Sequence, residues 1–190
     1  MKRIRGIVLS ASLSLICSAP PRAEAIQLSL VPSSATASIG ELVAVDAIVS
    51  GLGSGLPPSV GAFDLDVAFA PEVFEPVGIT FGPFLGDPLL FEAFTSFDFG
   101  TPAIVDFAEV SLLAAADLDA LQPSTFSLAT LMFIAISDGQ STFRFVGERR
   151  IDDAFGNKLA IPEPPTVVLA GLGVLGLLWR RRAGITAEIA

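Results

Sequence analysis

The sequence predicts an all-β domain, an antiparallel β-sandwich of jelly-roll type, set between two targeting segments. Three observations lead there. Short runs of apolar residues, several alternating with polar ones, recur along the chain and are bounded by Gly, Pro, Asn and Asp. Only one stretch, residues 112–121, has the composition of a helix, and no internal repeat is visible. Apolar segments flanked by basic residues lie near both ends. A length of 190 residues leaves room for one domain between them. The boundaries read as 1–25 for an N-terminal signal peptide, 26–160 for the sandwich and 161–190 for a C-terminal segment containing a single transmembrane helix.

At the N-terminus Lys2, Arg3 and Arg5 precede an apolar, uncharged stretch over residues 7–19. Ala23-Glu24-Ala25 then offers the small-x-small pattern of a secretory cleavage site, so cleavage is expected after Ala25, with Ile26 as the mature N-terminus. The apolar stretch is too short for a stop-transfer helix. Cys17, the one cysteine, falls inside it, so the mature chain is expected to carry neither a disulfide nor a thiol.

Along the domain, Ile39, Val43, Val45, Ala47 and Val49 share one parity and predict a strand over residues 39–49. The glycines and prolines of residues 51–58 predict a loop. Phe63, Leu65, Val67 and Phe69 alternate with Asp64, Asp66 and Ala68, the clearest strand in the chain. Residues 73–81 read as a strand with Pro76 at an edge or bend, and residues 82–88 as a structured loop. Phe91, Phe94, Phe97 and Phe99 stand among acids, which fits either a loop packed over the sandwich mouth or an exposed apolar patch, and the packed loop is expected because large exposed apolar patches are uncommon. Residues 104–110 resume strand character, and a short helix follows over 112–121, stopped by Gln122-Pro123. The nearly continuous apolar run 126–136 predicts a central strand buried on both sides. Gly139-Gln140 then turns into 141–146 as a hairpin, and 150–159 closes the domain.

Composition excludes whole classes of chemistry. The chain has no histidine and no tyrosine, and its mature part has no cysteine, so the usual proton shuttle and the soft metal ligands are missing. No nucleophile stands beside an identifiable base and no glycine-rich phosphate loop is present, so no enzyme is expected. Between residues 26 and 165 there are four basic residues, Arg144, Arg149, Arg150 and Lys158, against 18 acids, a net charge of −14. Such a domain binds no nucleic acid through phosphates and is repelled by anionic lipid surfaces. Asp64 and Asp66 share one strand face and read as a solvated surface rather than an acid and base pair or a calcium site. Asp152 and Asp153, with Asn157 across Gly156, offer oxygen ligands around a turn that would suit Ca2+. They lack EF-hand spacing, so no cofactor is expected there.

The tail has its own logic. Pro162, Glu163 and Pro164, followed by Pro165, form a stiff segment that continues neither helix nor sheet. Residues 166–179 are apolar and uncharged, ending in Trp179, and Arg180, Arg181 and Arg182 follow at once. As a helix these residues rise about 21 Å against a hydrocarbon core of about 30 Å, a mismatch that arginine snorkelling and local thinning can cover. The order predicts a transmembrane helix with its arginines on the cytoplasmic side and the sandwich outside.

Pro162-Glu163-Pro164, the short apolar helix and the basic cluster together resemble the PEP-CTERM sorting signal. That resemblance implies processing by an exosortase, a membrane-embedded cysteine protease or transpeptidase. The tail beyond the arginines, residues 183–190, is longer than is common in that family. In the domain, residues 39–43, 61–71, 126–136 and 141–146 are similar to the cohesin domains of PEP-CTERM proteins. Cohesins of cellulosomes bind dockerins through one sheet face and its loops, so the resemblance implies a structural or interaction role at the cell surface or in the extracellular matrix. The alternative is an extracellular carbohydrate-binding module on a plain membrane anchor. It is disfavoured, because every aromatic of residues 26–160 is phenylalanine and sugar platforms favour tryptophan or tyrosine. The expected partners are an exosortase, the membrane before processing, and an extracellular protein or polysaccharide matrix.

Overall fold

Val43, Val45, Ala47 and Val49 recur at every second position, and a period of two puts all four on one face of a strand. In the computed structural model, which describes residues 25–161, that face is completely buried. In chain order the first strands are β1 (Gln27–Pro32), β2 (Thr36–Ala37), β3 (Leu42–Ser50), β4 (Val60–Ala68) and β5 (Phe74–Phe81). They are followed by β6 (Ala93–Asp98), β7 (Ile104–Ser111), the helix α1 (Ala115–Leu121), β8 (Thr125–Ala135), β9 (Gly139–Gln140) and β10 (Arg144–Asp153). Two four-stranded sheets result, ordered β1-β3-β8-β5 and β10-β4-β7-β6, with a two-stranded ladder of β2 and β9 beside them. Every pairing is antiparallel.

The core lies between the two sheets. β3 and β8 contribute Val43, Val45, Val49, Leu128, Leu131 and Phe133, while β4, β7 and β10 contribute Phe63, Leu65, Val67, Val105, Phe107 and Ile151. Phe63 meets Phe107 edge-on at 5.8 Å and Phe133 meets Phe143 at 4.8 Å, separations at which aromatic pairs add to plain burial. One end of the sandwich is tied by Gln122, which is 2% exposed. Its Oε1 accepts from the Val60 N–H at 2.7 Å, and its Nε2 donates to the carbonyls of Val60 at 2.8 Å and Phe84 at 3.0 Å. α1 adds a single fully buried residue, Leu118.

Several expectations need correction. β3 begins at Leu42, and Ile39 instead stands 71% exposed beside Gly40, whose φ of 84° makes a turn before the strand. β8 is central but not buried on both sides: Leu131, Phe133 and Ala135 face the core, whereas Thr130, Met132 and Ile134 are half-buried on the outside. The helix starts at Ala115 because Leu112 is held by the sheet, donating its N–H to the Glu92 carbonyl at 2.7 Å. No hairpin joins β8 to residues 141–146. Both edges of β8 are occupied by β3 and β5, so the chain crosses over, Gly139-Gln140 pairs with β2, and β10 joins β4 in the other sheet. Residues 93–98, expected within a packed loop, form the edge strand β6, preceded by a 3-10 turn over Pro88–Leu90. Pro76 sits on the edge strand β5, where a register shift separates it from Gly78, as an edge or bend position requires.

Among the described residues no helix is long and apolar enough to cross a membrane. The signal segment and the expected span over 166–179 lie outside the described residues.

Candidate functional site

Register determines what the outer face of the β10-β4-β7-β6 sheet presents, since residues directly opposite in an antiparallel pair share a face. One row across it reads Val146, Asp66, Asp106 and Asp98. The next reads Arg150, Asp64, Ala108 and Ser96, and the third Asp152, Ala62, Val110 and Phe94. The face therefore grades from an acidic end to an apolar one. Asp106 holds its proton more tightly than an ordinary aspartate, first because it is partly desolvated and then because Asp66, Asp64 and Asp98 stand around it. Asp64 and Asp66 do lie together on this face, as the alternation of β4 predicts.

The apolar end continues past the sheet. Phe94 is 62% exposed and Phe91, which precedes β6, is 79% exposed, with Leu89 and Leu90 also in solvent. The Asp87 side chain caps the turn beneath them, accepting the Leu89 N–H at 2.8 Å, and Phe91 closes it with φ 60°. Phe97 points to the other side of β6 and rests against Phe99 at 5.2 Å. Phe99 packs against the core, so the expected cover over the sandwich is supplied by this residue and not by the whole segment.

At the opposite edge, β10 bulges over residues 147–149 between its pairings with Asp66 and Asp64. Gly147 makes this possible, since φ is 65° and a Cβ there would lie 2.8 Å from Asp66 Oδ2. Arg150 Nε and Nη2 both donate to Asp152 Oδ2, at 2.8 and 2.7 Å. The pairing raises the arginine's pKa further. Asp152 is buried, and its Oδ1 has no hydrogen-bond partner. Asp153 is occupied by its own turn: Oδ1 accepts the N–H groups of Phe155 and Asn157 at 2.8 Å, and Oδ2 accepts Asn157 Nδ2 at 3.0 Å. Those bonds hold the Asp153 carboxyl below its ordinary pKa. Of the oxygens expected to face a cation, Asp152 Oδ2 is thus turned to an arginine and the Asp153 carboxyl to the backbone and the Asn157 amide, while Asp152 Oδ1 has no hydrogen-bond partner. Among the described residues no group of three or more His, Cys, Asp or Glu is placed to hold a metal ion.

One residue escaped the sequence reading. Glu109 of β7 has no exposed surface, and neither carboxylate oxygen has a hydrogen-bond partner. Burial pushes its pKa up to about 8. The signal was present: Val105 and Phe107 point inward, and the same parity carried one step further reaches Glu109. Of the other expected site residues, Ala25 is exposed at the start of the described chain, while Ala23, Pro162, Glu163, Pro164, Arg180, Arg181 and Arg182 lie outside it.

Residues 160–182 match the PEP-CTERM protein-sorting motif, a span that contains Pro162-Glu163-Pro164 and the three arginines. That motif is the sorting signal of exported, exosortase-processed proteins. No curated protein matches the chain in sequence. Among solved structures, type II cohesin A11 from Bacteroides cellulosolvens aligns with a TM-score of 0.58 at 13% identity, over 73% of this chain and 96% of that one. A type II cohesin domain from the cellulosome of Acetivibrio cellulolyticus gives 0.56 at 18% identity, over 74% and 93%. A chain of a type II cohesin-X-dockerin complex from the same organism gives 0.56 at 12%, over 73% and 96%. The described residues have the cohesin fold, joined to a PEP-CTERM sorting motif.

Proposed function

We propose that the chain is exported, loses residues 1–25, and is delivered to the cell surface or the extracellular matrix by an exosortase acting at its tail. The sandwich then serves as a non-enzymatic binding module for a protein partner, using the outer face of the β10-β4-β7-β6 sheet. The observation that carries this reading is the order of parts: the sorting motif begins at residue 160, at the point where the cohesin-fold domain has just closed through the Leu159 N–H to Ile151 carbonyl bond. A domain so placed ends at the outer membrane surface with its sheets in solvent. A face graded from apolar to acidic supports protein recognition, because the apolar end supplies buried area and the acidic end selects and steers. The cohesins of the structural comparison include one solved with a dockerin, which supports a protein rather than a sugar as ligand.

The sorting half is tested by separable substitutions. Replacing Pro162 and Glu163 with alanine leaves the apolar span and its basic stop intact, so the protein stays inserted and is not shortened. Replacing Arg180, Arg181 and Arg182 with serine removes the stop, so unprocessed chain is no longer retained. If the alanine variant is shortened to the same mass as the parent, the exosortase reading fails.

A further inference from the structure

β6 is an open edge. It ends the order β10-β4-β7-β6, pairs only with β7, and carries Ala93-Phe94-Thr95-Ser96-Phe97-Asp98, a short run rich in β-formers with one charge. Natural sheets commonly blunt such an edge with lysine, proline or a bulge, and β6 has none of these. The other edge, β10, is different in charge. No lysine or arginine occurs from residue 25 to residue 143, and all four basic residues of the described chain, Arg144, Arg149, Arg150 and Lys158, lie on β10 or on the segment that folds back along it. Arg150 and Lys158 are paired with Asp152 and Glu148, whereas Arg144 and Arg149 have no ion-pair partner among the described residues. The returning segment covers the outer side of β10 from residue 148 to residue 153, through Asp153 with Asn157, Asp152 with Lys158, Leu159 with Ile151 and Lys158 with Glu148, so only residues 144–146 have no chain beside them on the side away from β4 among the described residues.

Direction completes the fit. Four strands alternate in an antiparallel sheet, so β6 and β10 run in opposite directions. A second copy placed in the same orientation beside the first brings its β10 against β6 antiparallel, and the alternation continues unbroken across the junction. We propose that this protein associates head to tail through these two edges, β6 of one copy accepting β10 of the next, to form extended chains. The complementarity is acidic and apolar against basic: Asp98 and its neighbour Asp106 on one side, Arg144 and Arg149 on the other. The two edges differ, so the contact is heterologous, and repeated between copies of one orientation it gives a filament rather than a dimer. Strand addition through residues 144–146, which lie level with the Asp98 end of β6, supplies the main-chain hydrogen bonds. The proposal rests on the reading of the sandwich as a protein-binding module and names its partner as a second copy.

Cross-linking on intact cells tests it with the full chain. With Cys17→Ala as background, Ser96→Cys on β6 and Val146→Cys on β10 are introduced singly and together, and a short, membrane-impermeant bismaleimide is applied. The double variant is expected to give a ladder of dimers, trimers and larger species. Each single variant is expected to stay monomeric, and co-expression of the two singles to give dimers and nothing larger. Arg144→Glu with Arg149→Glu in the double variant is expected to lower the cross-linked fraction about tenfold. A second pair, Asp98→Cys with Val146→Cys, whose positions share one row of the outer face, covers the case in which the first perturbs the edge. Dimers from Ser96→Cys alone would mean a closed β6-to-β6 contact, and monomers from both pairs would mean no self-association. Either result overturns the proposal. The monomer result leaves the sorting reading and the outer face as a site for a different protein intact, because tail processing is read separately from the same gel.

Discussion

Glu109 places a carboxyl between Phe63 of β4 and Thr95 of β6, facing the core, where no charged side chain contributes to its titration and burial alone drives it. Its pKa rises from an ordinary 4.5 to about 8, so between those values the folded protein holds a proton that the unfolded chain releases. Stability from this residue is complete below the unfolded value and is lost as pH climbs through the folded one, at up to about 1.4 kcal/mol per pH unit. Glu109→Gln should flatten that dependence, and Glu109→Leu should raise stability by about 1–3 kcal/mol by removing two unpartnered buried oxygens. Urea melts at pH 5, 7 and 9 check both, and a wild-type midpoint that rises with pH across this range would contradict the buried-acid account. Gln122→Ala is expected to cost about 1–3 kcal/mol, since it strands the buried Val60 amide. In the sequence Gln122 reads only as a helix stop. Its partner Val60 is 62 residues away, and no local pattern reports a contact of that span.

Elements with a strict two-residue period were legible from the sequence, and those whose role depends on neighbours were not. β4 reads directly from Phe63, Leu65 and Val67, and β3 from Val43, Val45 and Val49, because a half-buried strand writes its two faces as alternation. β6 hides: Phe94 and Phe97 are three residues apart, a spacing that would share one face of a helix but falls on opposite faces of a strand, so no strand alternation appears. β8 misleads in another way, since Met132 and Ile134 are apolar yet sit on the outer face, where they make a one-sided strand look two-sided. Substitution separates the faces. Leu131→Ala should cost about 2–5 kcal/mol and Met132→Ala well under half of that, read as shifts in urea midpoint at constant m-value. Equal costs would return β8 to burial on both sides. The failed hairpin expectation has the same root, because the occupancy of both β8 edges by β3 and β5 is a property of the sheet and not of residues 136–146.

For the whole molecule, the C-terminal end and the charge balance were readable because both are compositional. The tail signature of Pro162-Glu163-Pro164, an apolar run and three arginines needs no tertiary context, and it agrees with the motif matched over residues 160–182. The net charge of −9 for the chain hides a sharper division, with every cation of the described domain gathered at β10. Only the register of the sheet reveals that this basic strand and the apolar edge lie at opposite ends of one face. Association that rests on Asp98 against Arg144 and Arg149 should weaken as salt screens the edges. The central claim is that this is an exosortase substrate presenting a cohesin-fold domain. Intact mass of the surface-associated protein, from the host with and without its exosortase, tests it most directly. The account predicts a chain beginning at Ile26 and shortened near Pro162-Glu163-Pro164 when the exosortase is present, and one retaining residues 165–190 when it is absent. The same mass from both hosts would contradict it.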